Sequence, residues 1–335
     1  MKKLFLLLLK FFTPLLLVVI FYVYMDPFKV IWHYDSFYEP ENTISIPLDK
    51  DYVSTATYDN QYKEENYNSF IFGNSRSVLY EIATWKKYLS KDSKPYHFDA
   101  SAESLYGIYK KIQYIDSKHE KIDNVLLVFD HMVLERDKGR DGHLFAISPQ
   151  LKGHNNFADF HLQFFRTFLS YKFLPGYIDY KISGKVKPYM TEAVLSTEAF
   201  LYDNRINEMR HTTAEKEIAE GTFYTPERMK VFYKREPIQK YSPAVIKKNQ
   251  KEMLTAIARI FKKHGTKYKI IISPLYNQKK LNTNDLNYLK QLFNDKDIHD
   301  FSGINSITND YKNYYESSHY RPHVAAAILE KVYTK

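Results

Sequence analysis

The chain has 335 residues, 44% of them hydrophobic and 16% aromatic, and a formal net charge of +9. That length and apolar content suffice for one large α/β domain, or one domain with a sizeable insertion. There is no cysteine, which excludes disulfides, thiolate metal sites, lipoprotein acylation and a cysteine nucleophile.

Lys2 and Lys3 precede an apolar run from Leu4 to Met25 that only Lys10, Thr13 and Pro14 interrupt. At helical rise such a run reaches across a bilayer core of roughly 30 Å. Lys10 can snorkel to the interface, and a proline is tolerated in a spanning helix. The following "FYVYMDP" offers no small residues for signal-peptide cleavage, so residues 1–25 read as an uncleaved anchor. The flanking lysines then place the N-terminus in the cytoplasm and the rest outside a bacterial cytoplasmic membrane. A net basic exported part suits an anionic envelope polymer or a membrane surface. The topology argues against nucleic acid, the usual partner of a basic and aromatic chain.

Residues 26–68, with Pro27, Pro40 and Pro47, read as a juxtamembrane connector. A strand over 69–73 follows, then the turn Gly73-Asn74-Ser75-Arg76 and a helix over 77–89. "KPYHFDAS" (94–101) reads as a short strand ahead of a helix over 102–118. "IDNVLLVFD" (122–130) is the continuous apolar run of a strand buried on both faces. This β-α-β-α-β rhythm predicts a parallel sheet. Residues 131–240 break it, with helices expected near 157–172, 190–200 and 212–220 and no clear strand, as in an inserted cap. The rhythm then resumes with a helix opened by Pro243 and closed by Gly265, a strand over 267–274, and a helix over 284–293. A strand over 297–303 and a last helix over 322–333, beginning at Pro322, complete it.

Ligands of open parallel sheets bind beyond the carboxyl ends of the strands, where Ser75 stands. Gly73 permits a sharp turn there, and helix N–H groups could point at whatever Ser75 attacks. The same Asn74, Ser75 and Ser77 would also serve as plain helix caps. Near the other terminus, "NYYESSHYRPH" places Glu316 three residues before His319, in the loop ahead of the final helix. A serine needs a base to take its proton, and a carboxylate on the far nitrogen fixes the base's tautomer. Ser75, His319 and Glu316 supply those three types. Arg76 reads either as a binder of anionic substrate groups or as a surface residue. His319 and His323 are four apart with Glu316 nearby, a metal-ligand spacing that Pro322 disrupts, so neither a metal nor another cofactor is expected. The aromatic stretch 157–173 fits a groove lining or an amphipathic helix packed on the core or a membrane.

"FGNSRS" and "ESSHYRP" together resemble the blocks of the SGNH/GDSL hydrolase superfamily, specifically its membrane-anchored cell-envelope branch that includes DltD and the alginate O-acetylation proteins. The resemblance spans about 69–130 and 242–335. It implies a three-layer α/β/α, flavodoxin-like fold and serine-dependent O-acyl transfer or ester hydrolysis, of acetyl groups foremost, on an envelope glycan. A multi-span membrane acyltransferase would be a natural partner. By the same resemblance Ser75 is the nucleophile, His319 the base and Glu316 the acid. Members usually carry Asp at the last position, which leaves Asp310 and Asp300 as alternatives. The oxyanion hole would comprise the N–H of Ser75 and one from Ala100–Ser101, where the family has Gly. In the place of the family's Gly-x-Asn block stand Asp130 and His131; a carboxylate there would repel an oxyanion, whereas His131 could donate to one. The departures leave open a non-catalytic accessory protein that binds envelope polymer or the acyltransferase.

Overall fold

The computed structural model describes residues 2–153, 157–191 and 193–334, with side chains described from Lys10 onward. Five strands form the central sheet: β1 (Ser69–Gly73), β2 (Pro95–His97), β3 (Asn124–Phe129), β4 (Lys267–Ile272) and β5 (Ile298–Asp300). All pair in parallel, in the spatial order β5-β4-β3-β1-β2. The register sets Phe70 beside Val125 and Leu127 beside Ile270.

Strand side chains alternate between faces, and here both faces are apolar. Phe70, Phe72, Leu127, Phe129, Ile270 and Ile272 face one way. They pack on α2 (Lys50–Glu65), α3 (Leu105–Ser117), α7 (Lys248–His264) and α8 (Thr283–Leu292), through Tyr58, Ile108, Ile257 and Leu289 among others. Ile71, Leu126, Val128 and Ile271 face the other way, against Trp85 and against Ala325, Ile328 and Leu329 of α9 (Pro322–Tyr333). Helical layers on both faces explain the unbroken apolar run at 125–129, since a two-sided strand has no solvent face to pattern. Burying each large apolar side chain contributes roughly 1.5–3 kcal/mol, which makes this double core the main source of stability.

Outside the central sheet several elements depart from the sequence reading. The connector over 26–68 contains the 16-residue helix α2, capped by Asp49 and packed into the core through Tyr58. Its polar residues pair internally, which masks the amphipathic pattern. The expected helix over 77–89 is broken into a turn at Ser77–Leu79, a four-residue helix at Ile82–Trp85 and a second turn at Lys86–Tyr88. The expected helix near 190–200 is absent. Instead Phe200–Asp203 and Glu208–His211 form an antiparallel hairpin, which Glu41–Asn42 extends. Helices α4 (Phe157–Phe168), α5 (Phe173–Ser183) and α6 (Thr213–Ala219) do form in the insertion.

Helix α1 (Lys2–Met25) carries Tyr22 onto Phe165 and Phe168 of α4. Among the described residues no helix is long and apolar enough to cross a membrane. The expected span over 4–25 falls partly on positions 4–9, whose side chains lie outside the description.

Candidate active site

β1 and β3 are neighbours whose chain continuations diverge to opposite sides of the sheet, so a crevice opens beyond their carboxyl ends. The β1 end supplies the Gly73–Ser77 turn. A Cβ on Gly73 would lie 2.8 Å from Ser77 Cβ and 2.9 Å from the Val128 carbonyl oxygen, so close approach to β3 demands glycine. The turn locks itself: Ser77 N–H and Oγ both donate to the Asn74 carbonyl, at 2.8 and 2.7 Å. The Asn74 side-chain oxygen accepts from Arg76 N–H at 3.0 Å.

The loop 314–320 arrives from the far end of the chain as a small hairpin. Tyr314 bridges Tyr320, and Tyr315 N–H donates to the His319 carbonyl at 3.0 Å. Both bridging tyrosines are fully buried. Tyr314 donates to the Pro274 carbonyl at 3.0 Å, and Tyr320 to Tyr80 at 3.2 Å. The loop's geometry is therefore set by the core. It puts His319 Nε2 2.7 Å from Ser75 Oγ and His319 Nδ1 2.5 Å from Glu316 Oε1. The other Glu316 oxygen accepts from Ser318 N–H at 2.6 Å. Burial alone would raise the Glu316 carboxyl, but the hydrogen bond and charge of His319 more than offset it and hold the group below its usual range. An ionised Glu316 accepts a proton-bearing Nδ1, which leaves Nε2 free to take the serine proton.

The alternatives for the acid are occupied elsewhere. Asp310 accepts from Lys312 N–H and Asp300 from Ser302. The extra methylene of Glu316 is absorbed by the hairpin. His323 faces Asn313 Oδ1 at 2.9 Å rather than His319 or Glu316, so the four-residue spacing does not assemble a metal site.

Asp130 and Arg76 need correction. The Arg76 side chain is neither on the surface nor free for an anionic substrate, for the residue is 6% exposed. Its Nη1 donates to Asp130 Oδ2 at 2.7 Å and its Nε to the Ser318 carbonyl at 2.8 Å. Asp130 also accepts from Asn74 Nδ2 at 2.8 Å and from the N–H groups of Met132 and Val133 at 2.8 and 3.0 Å. Burial pushes the Asp130 carboxyl up, but Arg76, Asn74 and the Val133 N–H bring it below the ordinary range. It is thus an ionised, fully compensated carboxylate that ties the serine turn to β3 and, through Arg76, to the histidine loop. Asn74 is consumed in the same network and is a positioning residue, not an oxyanion donor. His131 makes no hydrogen bond to Ser75 or His319 and does not line their cavity. Burial lowers its affinity for a proton.

Two backbone donors remain. Ala100 N–H is spent on the Gly73 carbonyl at 3.3 Å, whereas among the described residues neither Ser75 N–H nor Ser101 N–H has an acceptor. Only a short turn and a four-residue helix follow Ser75, so these donors act without a long helix dipole behind them. Ser75, Ser101, Glu316 and His319 open into one cavity of about 810 Å³. Its outer wall comes from the insertion, including Phe200, Met209, Ala214, Phe223 and Val231. Glu215 of α6 clamps the histidine loop, accepting from Arg321 at 2.8 and 2.7 Å and from Tyr315 at 2.7 Å. Lys50 and Asp99 also line the cavity. Sequence reasoning passed over them because one lies in the supposed connector and the other in a short strand's tail. Compared with known proteins, the chain matches no family model, no curated protein and no solved structure.

Proposed function

We propose that the protein is a membrane-anchored, extracytoplasmic SGNH-like enzyme that transfers or hydrolyses an O-acyl group, acetyl foremost, on a cell-envelope glycan or polymer. The observation that carries this reading is the continuous relay from Ser75 Oγ through His319 to Glu316, at 2.7 and 2.5 Å, built from opposite ends of the chain. The sheet order β5-β4-β3-β1-β2 supports the flavodoxin-like part of the resemblance. Phe11, Phe12, Leu15, Leu16, Leu17 and Ile20, all exposed on a 24-residue helix, support the anchor.

In the first half-reaction Ser75 Oγ attacks the acyl carbon and its proton passes to His319 Nε2, while Glu316 stabilises the imidazolium. The tetrahedral oxyanion lies against the N–H groups of Ser75 and Ser101. Collapse breaks the bond to the donor's oxygen, which leaves with the proton from Nε2, and the acyl group stays on Ser75. Water or a sugar hydroxyl then gives its proton to Nε2 and attacks the acyl carbon, and Ser75 regains a proton as its ester bond breaks. This chemistry calls for no metal or cofactor.

The test treats the full-length chain, in a sugar-free detergent, with a fluorophosphonate probe. Labelling at Ser75 that disappears in Ser75→Ala and collapses in His319→Ala supports the enzyme. A folded wild-type protein that stays unlabelled overturns it. The resemblance would then favour an accessory protein that binds envelope polymer or a multi-span acyltransferase.

A further inference from the structure

Asp99 sits on the wall of the Ser75 cavity, 1% exposed, and its Oδ1 has no hydrogen-bond partner. A buried, unpartnered carboxylate oxygen is costly. The nitrogens facing it stand off: Lys50 Nζ at 3.9 Å and His97 Nδ1 at 3.4 Å. Lys50, also buried, lines the same cavity. Its ammonium donates to the Asn207 side-chain oxygen at 2.9 Å and, more weakly, to the Asn207 carbonyl at 3.4 Å. An ammonium has three protons, so one remains for a ligand.

Both groups are held rigidly from behind. Lys111, itself fully buried between Asp51 and Glu103 at 3.1 and 2.5 Å, donates to the Asp99 carbonyl at 3.2 Å. Asn207, at positive φ in the insertion hairpin, also donates to the His97 carbonyl at 2.5 Å. Burial alone would raise the Asp99 carboxyl, but the Lys50 charge and His97 keep it below the usual range, so it is an anion beside the cavity it helps to line.

We propose that Lys50 and Asp99 form the acceptor subsite of this cavity, and that its ligand is a sugar hydroxyl. The charges select that chemistry. An ammonium group on a ligand would meet Lys50, and a carboxylate would meet Asp99. A neutral hydroxyl donates to Asp99 and accepts from Lys50 at once, satisfying the orphaned oxygen and the spare proton together. The apolar remainder of the wall suits the carbon faces of a sugar ring and an acyl chain, and about 810 Å³ holds far more than an acetyl group, which is little larger than two waters at about 30 Å³ each. This subsite rests on the reading of Ser75 as an acyl-transfer nucleophile, but its occupancy is measurable apart from that chemistry.

The experiment is ligand-observed saturation-transfer NMR on the full-length chain in sugar-free detergent. The probes are methyl glucoside, methyl galactoside and methyl N-acetylglucosaminide. Fluorophosphonate labelling is run on the same samples. The expected result is contact with at least one glycoside in the wild type, weakened about tenfold in Asp99→Asn. Ala199→Trp, which fills the cavity from a half-buried position and leaves the buried charges intact, should abolish contact even if Asp99→Asn fails to fold. Contact that survives both substitutions, or wild-type protein that binds none of the three, overturns the subsite whatever the label shows. Glycoside contact that depends on Asp99 and on the open cavity, in protein that takes no label, keeps the subsite and sinks the nucleophile.

Discussion

Arg76→Met tests the architecture most directly, because it removes one member of a buried pair and leaves the other. Asp130 is 2% exposed and accepts four hydrogen bonds, of which the Arg76 bond at 2.7 Å is the only one from a formal cation. Without Arg76 the carboxylate keeps three neutral donors but loses its countercharge. A broken buried pair costs about 3–5 kcal/mol, a substantial part of a total stability of about 5–15 kcal/mol. Methionine preserves most of the side-chain volume, so little of that loss comes from a cavity. The measurement is urea unfolding of wild type, Arg76→Met, Asp130→Asn and the double variant. The single Arg76 change should cost about 3–5 kcal/mol, and the double variant should recover a substantial part of it, since no unpaired charge remains. Fluorophosphonate labelling of the surviving folded protein should slow as well, because Arg76 Nε holds the Ser318 carbonyl beside His319. An Arg76→Met protein within about 1 kcal/mol of wild type would refute the account of Asp130 as a compensated buried charge.

Three further outcomes are expected. Glu316→Gln keeps the size of the acid but cannot hold the imidazolium. Labelling at Ser75 should fall on the order of 10⁴-fold, with the thermal melt nearly unchanged. Gly73→Ala forces a methyl against Val128 and Ser77 and should destabilise by roughly 1–3 kcal/mol, seen as an earlier melt. The Asp130 carboxyl is held below its usual range, so its contribution is present above the unfolded pKa of about 3.9 and is lost as pH falls through the lower folded value. The stability gap between wild type and Asp130→Asn should therefore be constant near neutrality and close below about pH 4; a gap that widens on acidification would contradict the sign.

Much of the molecule was legible locally. Apolar runs at 69–73, 122–130 and 267–274, alternating with helical patterns except where 131–240 intervene, predicted the parallel sheet, because burial on both faces leaves a continuous apolar run that needs no partner to be seen. The serine, histidine and carboxylate were legible by type and spacing, and Pro322 marked the start of the last helix. Tertiary structure decided everything that depends on pairing at a distance. Arg76 looked like a surface cation and Asp130 like an obstacle, because a local window contains one charge at a time and the bond between them spans 54 residues. Helix α2 is polar along much of its length, yet it is buried through ion pairs and hydrogen bonds with partners that no periodicity records. The hairpin at 200–211 has strands of four residues, too short for an alternation to stand out. Lys50 and Asp99 are 49 positions apart in sequence and meet only because α2 packs beside the end of β2. Sequence determined which segments would be the strands of the central sheet and which residue types could react. The fold determined which charges are compensated, and with them what the cavity can hold.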